Sequence, residues 1–215
     1  MYKLYSWKNS YSMTAQVALE EVGADYELLW TTIHIPMDEK DPAFLSANPN
    51  GRVPTLLTED GAIYESGAIL VYLAERHPEA GLMPGLDDPR RRLYWQWHFY
   101  LVDSFQPEEL IQDNPSVYLP GDPVAQRSLK AHSMDRLRLI WRVLDEAAGA
   151  GPYLLGEAFS TCDISFAMQA LWPDCQPPEG LAHYPNARRC LKAVLNRPSA
   201  RKVLEAHEVE HQADI

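Results

Sequence analysis

The sequence predicts an α/β domain of order βαβαββα followed by an all-α, helical C-terminal domain. Three observations lead there. Short strand-like and helix-like stretches alternate over residues 1–78, a segment rich in Pro, Gly and Asp follows over 79–89, and strand signals are then absent from 90–215.

Each element has its own warrant. Tyr2 to Tyr5 and Tyr26 to Thr31 read as strands, and Ser12 to Val22 reads as a helix carrying Val17, Ala18 and Leu19. A short helix is expected at Pro42 to Ala47. Thr55 to Leu57 and Ala62 to Tyr64 flank Glu59-Asp60-Gly61, where Gly can supply the positive φ of a hairpin turn. Ser66 to His77 closes the unit as a helix, with Ile69, Leu70 and Leu73 on one stripe. Beyond residue 89, helices are expected at about Arg90 to Phe105, Val124 to Ala148, Thr161 to Leu171, Asn186 to Leu195 and Ala200 to Glu210. Pro107, Pro115, Pro120, Pro152 and Pro177-Pro178 act as breaks.

Composition narrows the function classes. With 46% hydrophobic and 23% charged residues, the chain is an ordinary packed globule. Lys and Arg total 19 against 30 acidic residues, a net charge of -11, which is the wrong sign for a surface that tracks phosphates. A nucleic-acid partner is therefore not expected. Neither a signal peptide nor a run of about 18 apolar residues is evident, so no membrane partner and a cytoplasmic location are expected. Cys162, Cys175 and Cys190 are too scattered for a disulfide framework.

One helix start carries a folding signature. Ser160-Thr161-Cys162-Asp163 sets a hydroxyl three residues before a carboxylate, a short-armed capping box, with Phe159 and Ile164 placed for a hydrophobic staple.

The chemically informative segment is Asn48-Pro49-Asn50-Gly51-Arg52-Val53-Pro54-Thr55-Leu56, followed after the hairpin by Glu65-Ser66-Gly67-Ala68-Ile69. In order and spacing the two closely resemble the glutathione transferase family. The resemblance implies a thioredoxin-like first domain, a helical second domain and a homodimer. It also implies a cis peptide between Val53 and Pro54, which turns the main chain of Val53 outward to pair with the cysteinyl backbone of glutathione as an added strand would. Ser66 at a helix start then faces the γ-glutamyl carboxylate, since unpaired N–H groups and the dipole favour an anion there. Glu65 answers the ligand's ammonium group, and Lys40 and Arg52 are candidates for its glycyl carboxylate.

The thiol needs activation, and the candidates lie between the first strand and first helix: Asn9, Ser10, Tyr11 and Ser12. A free thiol titrates near 8.5, and one hydroxyl donor with a helix N-terminus is enough to lower it by about one to two units. Matching Val17-Ala18-Leu19 to the family's first helix puts Asn9 in the usual Ser or Cys slot and Tyr11 in the slot of bacterial cysteine-bearing members. The loop thus has no cysteine, which argues against glutaredoxin-like chemistry and leaves Ser10 or Tyr11 as donor, with Ser12 or Asn9 in support. Alternatively, Ser12 merely caps the first helix.

Tyr94, Trp95, Trp97, Phe99, Tyr100 and Phe105 crowd one helix so densely that it needs cover on several sides. Core is the expectation for most of them, while family analogy offers Tyr100, Ser104 and Phe105 as a lining for an apolar electrophile. His207-Glu208-Val209-Glu210-His211 has the HExxH spacing of zinc proteases but reads as an acidic tail, and no metal is expected. The expected activity is a glutathione transferase with glutathione as co-substrate. The alternatives are a non-catalytic binding or scaffold relative, or a glutathione-dependent isomerase, lyase or peroxidase; the Ser-Ser-Cys run of maleylacetoacetate isomerases is missing.

Overall fold

The computed structural model describes residues 1–210. The chain divides into two compact units, one built on Met1–Met83 together with the last helix, the other on Pro84–Leu195.

In the first unit the order is β1 (Tyr2–Ser6), α1 (Ser12–Glu21), β2 (Tyr26–Trp30), α2 (Pro42–Ala47), β3 (Thr55–Thr58), β4 (Gly61–Tyr64) and α3 (Ser66–Arg76). The sheet runs β2-β1-β3-β4, with β1 and β2 parallel and the other pairs antiparallel. This is the expected thioredoxin-like arrangement. Leu4 and Leu56 pair across β1 and β3 and are fully buried, as are Val17, Ala18 and Leu19 of α1 and Ile69 and Leu73 of α3. Burying such aliphatic side chains contributes about 1.5 to 3 kcal/mol each, which fixes α1 and α3 against the sheet.

The final helix, α9 (Pro198–Ala206), departs from the expected division at residues 90–215, because it packs on α1 and groups with the first unit. Arg197 Nε and Nη2 grip the carboxylate of Glu21 at 2.7 and 2.6 Å, and Ser199 Oγ donates to the same group. A fork on a half-buried carboxylate is among the stronger polar contacts, and contacts of this kind leave no signal in local periodicity.

The second unit contains α4 (Arg91–Tyr100), α5 (Gln106–Asp113), α6 (Pro123–Ala148), α7 (Thr161–Gln169) and α8 (Pro185–Leu195). The chain does not break before Pro107 as expected. A π turn over Leu101–Phe105, closed by the Gln106 N–H on the Leu101 carbonyl, leads directly into α5. Pro107 lies in the first turn of α5, directly after that π turn. The core centres on Trp141, whose ring lies 5.9 Å from Phe105, 5.5 Å from Phe166 and 6.0 Å from Tyr184, and whose Nε1 donates to the Cys175 carbonyl at 2.9 Å. The capping signature forms as read: Asp163 accepts the Ser160 N–H at 2.8 Å and the Leu154 N–H at 2.7 Å.

Candidate functional site

The register of the sheet gathers the predicted site residues. Tyr5 stands opposite Leu29 on β2 and Thr55 on β3, and Thr55 stands opposite Tyr64 on β4. This row brings to one end of the sheet the loop after β1, the chain following β2, the Val53-Pro54 peptide before β3 and the Glu65-Ser66 start of α3. The Val53-Pro54 bond is cis, Pro54 is buried and Val53 half-buried.

Two helices begin at this end. Neither α1 nor α3 has a side-chain cap at its N-cap residue or an acidic residue in its first turn, so the positive ends of both dipoles are uncompensated from within those turns. Glu65, the N-cap of α3, is exposed and held at φ 72, while Ser66 behind it is buried. A bulky residue in the left-handed region is uncommon and marks a place where surrounding structure dictates the backbone.

The loop after β1 is organised by hydroxyls. Ser12 Oγ lies 2.7 Å from Ser6 Oγ and 2.7 Å from Ser10 Oγ, and Ser10 Oγ donates to the Trp7 carbonyl at 2.7 Å. A single proton count satisfies all three: Ser6 donates to Ser12, Ser12 to Ser10, and Ser10 to the carbonyl. Ser12 is fully buried and Ser10 half-buried. The expectation that Ser12 simply caps α1 gives way to this arrangement, since Tyr11 occupies the N-cap and the Ser12 hydroxyl is spent inside the relay. Asn9 is exposed at φ 47 and Tyr11 is half-buried.

Lys40 is buried, its Nζ donating to the carbonyls of Ile33 at 2.7 Å and Gly51 at 3.0 Å. It therefore braces two loops, a role the sequence did not suggest. Burial, and then repulsion from Arg52, lowers its ammonium pKa, which places two cations within electrostatic reach of one another. Gly51, at φ 58, has no room for a side chain: a Cβ would stand 2.9 Å from Lys40 Cδ. Asn48, also missed as a builder of the site, sends Nδ2 to the Arg52 carbonyl and to Thr55 Oγ1, both at 2.9 Å, and accepts the Asn50 N–H at 3.0 Å. The signal was present in the Asn-Pro motif, read there only as part of a resemblance.

The residues offered for an electrophile lie on the helical unit. Phe105 is fully buried between Trp141 and Phe166 and is core, so it does not line a pocket in this arrangement. Tyr100 and Ser104 are half-buried at the π turn, a feature common at functional sites. The three cysteines are free and buried, and burial raises all their thiol pKa values, that of Cys190 to about 12. Such thiols are poor nucleophiles. His207 does not offer itself to a metal: α9 has ended, and both ring nitrogens are engaged by Asn9 and Gln16. His211 lies outside the described residues. No helix among the described residues is long and apolar enough to cross a membrane.

Residues 1–75 match the family model of the glutathione S-transferase N-terminal domain. Over those residues the chain is similar to that domain. Glutathione S-transferase F14 of Arabidopsis thaliana is 32% identical over 169 residues, 74% of this chain and 63% of that protein. The chain thus spans less than two thirds of that relative. The glutathione S-transferase-like protein OpS6 of Beauveria bassiana is 29% identical over 213 residues, 94% of this chain and 93% of that protein. Among solved structures, a sphingomonad glutathione S-transferase complexed with glutathione is similar at TM-score 0.81 and 25% identity, over 97% of this chain and 100% of the other.

Proposed function

We propose that the chain binds glutathione at this end of the sheet and uses its thiolate against a small apolar electrophile, as a glutathione transferase acting as a homodimer. The observation that carries the reading is the Tyr5–Thr55–Tyr64 row, because it brings four segments of the chain to one end of the sheet. The Val53 main chain pairs with the cysteinyl residue, the uncapped start of α3 with Ser66 takes the γ-glutamyl carboxylate, and Glu65 takes the ammonium group. Lys40 and Arg52 take the glycyl carboxylate, which relieves their mutual repulsion.

Ser10 is the thiol's hydroxyl donor. Its proton rests on the Trp7 carbonyl, and rotation toward a bound sulfur leaves that carbonyl to Ser12, whose Oγ is 3.3 Å away. Together with the α1 dipole this stabilises thiolate over thiol by about 1.4 to 2.7 kcal/mol, one to two pKa units. Tyr11 and Asn9 stand beside it as support, and Tyr100 and Ser104 are candidates for contact with the second substrate.

The sphingomonad structure's bound glutathione and the family match support this reading. Buried thiols favour hydroxyl-assisted over cysteine-based chemistry. Assay against halonitroaromatics, epoxides, enones and hydroperoxides tests it. Turnover with at least one class is expected, whereas tight glutathione binding without any turnover assigns the chain to the non-catalytic alternative.

A further inference from the structure

We propose that residues 206–208, at the C-terminal end of α9, latch the loop that holds the glutathione thiol, and that His207 is a positioning residue for that site. The latch is made of four contacts, three on the consecutive loop residues Lys8 and Asn9 and one on α1. The Asn9 N–H donates to His207 Nδ1 at 3.1 Å, and Lys8 Nζ donates to the Ala206 carbonyl and to Glu208 Oε1, both at 2.7 Å. On its other side, His207 Nε2 lies 2.8 Å from Gln16 Oε1 in the second turn of α1.

These contacts assign the ring. Because a backbone N–H can only donate, Nδ1 is the acceptor, so Nε2 carries the proton and donates to Gln16. The direction then continues without conflict: Gln16 Nε2 donates to the Tyr26 hydroxyl at 3.1 Å, and Tyr26 donates to Glu20. A neutral imidazole of one tautomer thus ties the loop to α1 and β2. The ring is 2% exposed, with the Trp30 ring 5.2 Å away edge-on, and Lys8 lies over Trp30 at 4.9 Å. Among the described residues the non-glycine positions at positive φ are Asn9, Glu65 and Glu208, and Asn9 and Glu208 both lie in the latch segments. A backbone held in that region persists when its surroundings over-determine it, and His207 at Asn9 and Lys8 at Glu208 are among those surroundings.

The consequence for chemistry rests on the glutathione reading. Asn9 precedes Ser10, so releasing the Asn9 N–H lets the Ser10 hydroxyl drift from the sulfur. A misplacement of about 1 Å at a reacting centre can cost about 100-fold in rate.

Two substitutions separate positioning from mere packing. His207→Asn keeps an acceptor where Nδ1 stood, whereas His207→Gln keeps a polar group at the Nε2 position but removes the acceptor that Nδ1 offers the Asn9 N–H. The expected result, by ultraviolet titration of bound glutathione, is a thiol pKa raised about one unit in H207Q, a tenfold loss of thiolate below the pKa, with H207N close to wild type. Turnover should fall with it while KM for the electrophile stays unchanged. Amide exchange at Asn9 and Ser10 in the unliganded protein should quicken in H207Q and in the exposed variant Lys8→Met, which keeps the buried ring. Equal titration and exchange in H207N, H207Q and wild type would overturn the latch. If wild type binds no glutathione the glutathione reading falls, and the exchange comparison alone decides the latch.

Discussion

The hydroxyl oxygens of Ser10 and Ser12 stand 2.7 Å apart, the first half-exposed and the second fully enclosed behind it. On the proposed reading Ser10 meets the ligand while Ser12 holds Ser10 in place. Ser10→Ala should raise the pKa of bound glutathione by about one unit, a loss of about 1.4 kcal/mol of thiolate stabilisation, with little change in folding stability. Ser12→Ala strands the Ser6 hydroxyl and should cost about 1 to 2 kcal/mol in urea denaturation, with a smaller thiol shift. A larger titration shift in S12A than in S10A would reverse the two roles.

Lys40 both braces the Ile33 and Gly51 carbonyls and stands near Arg52. Lys40→Met should weaken glutathione about tenfold, and γ-glutamylcysteine, which lacks the glycyl carboxylate, by clearly less. A charge-assisted hydrogen bond contributes about 1.5 to 3 kcal/mol, so the difference is measurable by calorimetry. Equal losses for the two ligands would restrict Lys40 to bracing.

Asp163 belongs to folding rather than to catalysis. Its buried carboxyl, pushed up to about 6 by burial against the pull of its hydrogen bonds, closes the start of α7 and holds Leu154. Asp163→Ala leaves two buried N–H groups unpaired and should cost about 2 to 4 kcal/mol of stability, with glutathione affinity unchanged at a temperature where the variant is folded. A loss of affinity without a loss of stability would contradict this.

The buried imidazole of His207 gives stability a pH dependence. Burial, then the charge of Lys8, lowers its pKa from 6.5 to about 4, with Glu208 the acidic neighbour across Lys8. Between those values the unfolded chain takes up a proton that the folded chain refuses, so this contribution is intact above pH 6.5 and is lost as pH falls toward 4. Denaturant midpoints of wild type and H207N should therefore differ most at pH 7.5 and converge toward pH 4.5. Asp163, common to both chains, cancels in the difference. A gap that widens on acidification would mean that His207 is protonated in the fold.

Local pattern was enough for the strands, for α1, α2 and α3, and for the α7 cap, because periodicity, turn residues and the Ser160–Asp163 spacing act within a few residues. The Val53-Pro54 and Glu65-Ser66 pairs were legible as a motif, and the pairing of Tyr5, Thr55 and Tyr64 explains why they lie together at one end of the sheet. Long-range contacts were not legible. Nothing near Arg197 announces Glu21, nothing near His207 announces Asn9, and Lys40 reads as a surface lysine until two carbonyls close on it. Pro107 misled because proline breaks a helix interior yet suits a first turn, and a π turn carried the chain into α5. Phe105 misled because a crowded aromatic helix gives no sign of which ring the core takes.

Titration calorimetry of the wild-type chain with glutathione, repeated with Ser66→Ala, tests the central claim most directly. Saturable binding of one tripeptide per chain, tighter than about 1 mM and weakened about tenfold or more by S66A, is the predicted result. No saturable heat from the wild type, or binding indifferent to Ser66, would contradict the placement of glutathione across this end of the sheet.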